Sequence, residues 1–277
     1  MAKLAYSSNA YMRWSISDAI DRVAATGYQG IELMADVPHA WPATITEDQI
    51  GAIRHAIDRR ELAISNVNAF MMNAVQDFWH PSWIEPDADD RRLRVQHTKD
   101  ALTMARKLGA PSITTEPGGP VDAGMTRQEA MDIFVMGLNE ALQHAEQEQV
   151  QLLVEPEPGL LIENAAEFVE LAERVDSPMF GLNFDVGHFF CVCDPLPQTI
   201  ATLQSWTRHY HIEDIAATRI HEHLIPGRGA IDLPAVLRAI DATGYDGWLT
   251  VELYPYLDDP DGAGREARDY LLPLMRP

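Results

Sequence analysis

The chain alternates short apolar runs with longer amphipathic ones eight times, and this limits the fold more than any other feature of the sequence. Lys3 to Ser7, Gly30 to Ala35, Leu62 to Val67 and Ser112 to Thr115 have the length and composition of strands. Four more runs lead into Glu155, Asp185, His211 and Glu252. The helices between them carry start and stop signals. Ser15 opens the first and Gly27 closes it; Thr46 starts the second; the third runs from Arg91 to Leu108 and stops at Gly109. Thr126 and Glu129 form a capping box for a fourth helix running to about Gln147. Asn164 caps the fifth, the sixth follows Pro195, Asp232 opens the seventh, and the last spans Gly264 to Met275. Strict alternation means parallel strands joined by crossover helices. Eight such units in 277 residues, with no composition break between them, predict one α/β domain over residues 1–277, a closed (β/α)8 TIM barrel.

The last four strands share a second property. Leu152-Leu153-Val154 ends on Glu155, and Gly181 to Phe184 ends on Asp185, with His188 three residues on. Arg208-His209-Tyr210 ends on His211, and Trp248 to Val251 ends on Glu252. Buried carboxylates and imidazoles are costly without partners. Barrel active sites lie at strand C-termini, so these four groups share one arc of the mouth, where a cation would satisfy them together. Three oxygens and one nitrogen suit a single divalent ion with open positions: manganese, magnesium, cobalt or zinc. No thiolate is in the set, which argues against a closed structural zinc site.

Composition narrows the partners. A net charge of −21 opposes a broad phosphate-backbone footprint or an anionic membrane surface, so neither nucleic acid nor membrane is expected. The two cysteines, Cys191 and Cys193, are too close for a framework disulfide and read as reduced thiols. With no signal peptide and no apolar run of spanning length, the expected location is cytoplasmic. The stretch from about Asn66 to Asp90 holds Phe70, Met71, Met72, Phe78, Trp79 and Trp83, too apolar for a disordered linker. It reads equally as a lid over the site or as a subunit contact in a homo-oligomer.

Five motifs together carry a family resemblance: Leu153-Val154-Glu155-Pro156, Phe184-Asp185-Val186-Gly187-His188, His211-Ile212-Glu213-Asp214, Pro226 to Asp232, and Gly244 to Leu253. Over nearly its whole length the chain resembles the xylose isomerase-like TIM barrels, the sugar phosphate isomerase/epimerase superfamily. The resemblance implies that Glu155, Asp185, His211 and Glu252 are the metal ligands. It also implies that His188 contacts substrate oxygen or, as in nuclease members, a second metal. The implied activity is proton abstraction next to a carbonyl of a sugar- or polyol-like small molecule, through an enediolate, with Glu155 and Glu252 facing each other as acid/base groups. Epimerisation, aldose–ketose isomerisation and dehydration of an inosose or keto acid share that step. The rival reading is phosphodiester cleavage of the endonuclease IV kind, but the ends of strands two to four lack the extra histidines that chemistry uses.

Other polar residues carry narrower expectations. Glu32 and Glu116 read equally as substrate contacts or barrel-interior ion pairs, and Glu157 as a loop or supporting group. Arg219 and Arg228, after strand seven, are expected to bind a substrate hydroxyl or phosphate. His221 and His223 alternate and, with His188, could hold a second ion.

Overall fold

The computed structural model describes residues 2–275; residues 1, 276 and 277 of the expected 1–277 domain lie outside the described residues. Strands β1 (Lys3–Ser7), β2 (Gly30–Met34), β3 (Ala63–Asn68), β4 (Ser112–Thr115), β5 (Gln151–Val154), β6 (Phe180–Asp185), β7 (Thr207–Ile212) and β8 (Trp248–Val251) close in chain order into one barrel. Every neighbouring pair is parallel, and β1 closes on β8 through Lys3↔Trp248 and the residues that follow.

The crossover helices are α1 (Ile16–Thr26), α2 (Glu47–Arg59), α3 (Ala88–Leu108), α4 (Arg127–Glu148), α5 (Ala165–Ala172), α6 (Val186–Cys191), α7 (Leu196–Leu203), α8 (Leu233–Ala242) and α9 (Pro260–Leu274). Their ends follow the local chemistry. The Ser15 hydroxyl accepts from Asp18 N, Gly27 closes α1 at φ 87°, and Thr46 and Thr126 form complete capping boxes with Gln49 and Glu129.

Three helices differ from expectation: α3 begins at Ala88, capped by Asp87, three residues before Arg91. A short helix, α6, follows β6 directly, because the Asp185 side chain caps it by accepting from His188 N; six residues are too few to show helical periodicity. Helix α9 begins at Pro260, not Gly264, since Asp259 caps it and a proline in the first turn costs no hydrogen bond. The alternation therefore stands with one α-helix more than expected among the described residues, besides a 3-10 turn at Ser8–Tyr11.

The stretch after β3 is ordered by buried charge. Arg94 of α3 is wholly buried; its Nε donates to Pro81 O at 2.8 Å and its Nη1 to Phe70 O at 2.9 Å. Asp36, also buried, accepts from Asn73 N at 2.8 Å and Ala74 N at 3.1 Å. Glu116 accepts from Trp83 N at 2.9 Å and lies 3.8 Å from Arg94. Between the two residues read from sequence as alike, Glu116 thus turns out to be a pin for the loop. Removing one partner from a buried ion pair costs about 3–5 kcal/mol. Arg94→Leu is accordingly expected to lower unfolding free energy by about that much, read as a fall in the urea midpoint.

His97, one helical turn beyond Arg94, stacks on Trp41 with ring centroids 4.9 Å apart. Burial, helped by the Arg94 charge, pushes its pKa down to about 3. Unfolded, this imidazole takes a proton below its ordinary value of about 6.5, while folded it stays neutral to about 3. The unfolded state therefore binds the extra proton in that window, and stability falls as pH drops through it. His97→Phe, which keeps the stack, should flatten the stability–pH slope between pH 4 and 6 by about 1.4 kcal/mol per unit.

Candidate metal centre and cavity

The four strand ends meet. One ligand atom each from Glu155, Asp185, His211 and Glu252 lies within 4.8 Å of the others, and all four residues are buried. His211 Nδ1 is 2.8 Å from Glu155 Oε1, 3.6 Å from Glu252 Oε2 and 3.8 Å from Asp185 Oδ2. Asp185 spends Oδ1 on the cap of α6, and its Oδ2 has no hydrogen-bond partner. An orphaned, buried carboxylate oxygen within this set is the donor a cation would complete.

The electrostatics agree. Burial, then repulsion from Asp185 and Glu32, lifts Glu155 to about 7 against the pull of His211. Burial and the other carboxylates push Glu252 well above the usual range. His211, opposed by burial, is raised well above its ordinary value by Glu155, Glu32 and Glu252. One imidazole among four buried carboxyl groups does not balance their charge, and a divalent ion among the oxygens would offset two of the charges.

Glu32 lies under this centre and not in the cavity. Its Oε2 is 2.8 Å from His211 Nε2, it accepts from Asn66 Nδ2 at 2.8 Å, and it is fully buried. It therefore orients the ring and leaves Nδ1 facing the cluster. Of the two expectations for Glu32, its contacts are those of an interior pair, and β2 places it below the cavity lining.

Above the four clustered residues is a cavity of about 520 Å³. Glu155 and Glu252 line it; Asp185 and His211 do not. His188, His221 and His223 also line it, and one nitrogen from each lies within 4.8 Å of the others. Each has a partner. His188 Nδ1 is 2.8 Å from Pro156 O, His223 Nδ1 is 3.0 Å from Glu252 O, and Glu157 bridges His188 Nε2 at 3.2 Å and His221 Nδ1 at 3.0 Å. The loop carrying His221 and His223 is held by buried Asp214, which accepts from Gly227 N, Gly229 N and Ile231 N. A Cβ on Gly229 would collide with Asp214, which accounts for glycine in that motif.

Neither arginine reaches the cavity. Arg228 makes two bonds to Glu266, at 2.6 and 2.7 Å, on the surface, and Arg219 lies over the Phe190 ring at 4.0 Å. The loop turns both outward, so neither expected substrate-binding arginine lines the cavity. The residues that sequence reasoning missed are Asn9, whose Nδ2 donates to Glu252 Oε1 at 2.9 Å, Asn68, the cavity-lining Met12, Tyr254 and Leu257, and Glu213. Glu213 sits beside Asp185, held well above its usual pKa by burial and that neighbour, and accepts from Gly187 N at 2.5 Å. Asn9 follows β1 and Asn68 ends β3, and neither strand end carries an ionisable group, so nothing local marked them.

A parallel eight-stranded barrel with a buried carboxylate–histidine cluster at its mouth places the candidate centre where barrel enzymes carry their active sites. The chain belongs to the xylose isomerase-like TIM barrel family, whose sequence profile matches residues 20–274. It is 24% identical over 269 residues to 2-oxo-tetronate isomerase of Pectobacterium atrosepticum, covering 94% of this chain and 95% of that one. To inosose dehydratase of Clostridium beijerinckii it is 22% identical, covering 93% and 89%. Among solved structures it superposes on a D-tagatose 3-epimerase-like protein with a TM-score of 0.83 at 22% identity, covering 98% of each chain. On the IOLI protein with a bound zinc atom the TM-score is 0.82 at 17% identity, covering 99% and 98%. Among the described residues, no helix is long and apolar enough to cross a membrane.

Proposed function

We propose that the chain is a divalent-metal-dependent isomerase or epimerase of a sugar-like ketone, acting by proton abstraction next to the carbonyl. One observation carries the reading: of the four clustered ligands, Glu155 and Glu252 alone line the cavity, while Asp185 and His211 lie beneath it. Two carboxylates are thus open to a substrate, and two residues serve only to hold.

The four would hold manganese, magnesium, cobalt or zinc, and the zinc in the related IOLI structure makes zinc the first ion to try. Such an ion supplies polarisation of a carbonyl and its neighbouring hydroxyl, offsetting the charge left by proton loss. Glu155 takes the proton from one face of the carbon, and Glu252 holds or delivers a proton on the other. Asn9 fixes the Glu252 carboxylate through Oε1, and Glu32 fixes His211. Glu157 offers a carboxylate oxygen to a substrate hydroxyl, and His188 meets a substrate oxygen by exchanging its bond to Glu157.

Dehydration, the reaction named for one relative, begins with the same abstraction and is the second reading. Phosphodiester cleavage is disfavoured, since no lysine or arginine lines the cavity among the described residues. The test is deuterium uptake from heavy water at the carbon beside the carbonyl, followed by NMR over a panel of keto sugars, beside an abasic-site DNA cleavage assay. Uptake without DNA cleavage is the expected result; cleavage without uptake would replace the reading. A second ion at His188, His221 and His223 predicts a second metal equivalent that His221→Ala removes while the first remains.

A further inference from the structure

We propose, resting on the isomerase reading above, that the substrate is an uncharged keto sugar bearing an apolar substituent. Its oxygens lie on the Glu155–Glu252 floor, and its substituent lies against a wall of Met12, Phe70, Met71, Phe78, Tyr254 and Leu257.

The cavity has two chemically different ends. The floor is polar: Asn9, Asn68, Glu155, Glu157, Glu252 and the three histidines. The wall is built from three separate segments: Met12 after β1, the stretch after β3, and the loop between β8 and α9. The middle segment is pinned by Arg94 and Asp36, so the apolar surface stands preformed and needs little ordering on binding.

Charge argues against an anion at the apolar end. Among the described residues, no lysine or arginine lines the cavity, and Arg219 and Arg228 turn outward. The histidines are already engaged by Glu157, Pro156 O and Glu252 O. A phosphate or carboxylate on the substrate's far end would meet apolar side chains, or Glu157, and would lose its hydration without a counter-charge. Size points the same way. A cavity of about 520 Å³ lies in the range that encloses drug-sized ligands and exceeds the needs of an unsubstituted hexose. Such a hexose would leave the wall wet, or its own outer hydroxyls unpaired, whereas an alkyl or aryl group covers the wall.

The test is calorimetric titration of the protein loaded with zinc or manganese, using D-fructose, D-fructose 6-phosphate and 6-O-benzyl-D-fructose. The benzyl ether is expected to bind about 10-fold or more tighter than fructose, and the phosphate ester no tighter than fructose. Phe78→Ala should narrow the ether-to-fructose ratio. Met71→Arg, which places a cation on the wall, should raise phosphate-ester affinity relative to fructose. Both side chains are partly exposed, so the variants are expected to fold, and circular dichroism checks that. Ether binding equal to or weaker than that of fructose, undetectable binding included, overturns the proposal. So does wild-type protein that prefers the phosphate ester. Because affinity is read independently of turnover, ether preference without deuterium exchange sinks only the isomerase reading, and exchange without ether preference sinks only this one.

Discussion

Glu155→Gln and Glu252→Gln are each expected to slow exchange of the substrate's α-proton by about 10²–10⁴-fold, the usual contribution of a positioned acid or base. Glutamine keeps the side chain's length and one oxygen donor but cannot accept the proton. Both glutamates face the cavity above the other two ligands, so the loss follows from their position. The two variants should also differ from each other. If each carboxylate serves one face of the carbon, Glu155→Gln slows isotope washout from one epimer more, and Glu252→Gln from the other. Equal losses from both epimers, with metal retained, would leave a single base. Near-normal exchange in both variants would move the proton transfer to another group, such as His188 on the cavity wall.

The second large effect concerns Asp185, which has two duties on its two oxygens. Oδ1 caps α6 at 2.7 Å from His188 N, while Oδ2 belongs to the ligand cluster. Asp185→Asn preserves the cap and removes the charge; Asp185→Ala removes both. Metal content after purification should fall sharply in both, and the stabilisation that ligand binding confers should fall with it. A site held at 100 times its dissociation constant contributes about 2.7 kcal/mol. The melting temperature of the wild type should therefore rise with added ion, and those of both variants should not. The alanine variant should be less stable than the asparagine one by about 1 kcal/mol, the worth of a helix cap. Metal binding equal to that of the wild type in Asp185→Asn would contradict the ligand assignment.

These roles were legible in sequence to different depths. The barrel was, because capping residues and stop glycines punctuate it locally: Ser15, Gly27, Thr46, Thr126 and Asp232 all sit where they were read. The four clustered residues were legible because barrel geometry assigns strand ends a common place. Direction was not. Glu32 lies on a strand like the others, yet it lies below the mouth and its partner is the back of His211. Arg219 and Arg228 sit in the right loop and point outward, because the path of that loop is set by Asp214 through three backbone amides. The stretch from 66 to 90 was read as either lid or contact. It lines the cavity through Phe70, Met71, Asn73 and Phe78, held by Arg94 and Asp36, whose reach across the chain leaves no local mark. Glu157 looked like a loop residue after its neighbouring prolines, but it bridges two histidines that the sequence places 33 residues apart, His188 and His221.

The central claim is that an ion held by Glu155, Asp185, His211 and Glu252 enables removal of a proton beside a carbonyl. The most direct measurement is deuterium uptake into a keto sugar by wild-type protein as isolated, after chelation, and after return of one equivalent of zinc or manganese. Uptake that disappears on chelation and returns with one equivalent is the predicted result. Uptake at the same rate in chelated, metal-free protein would contradict the account.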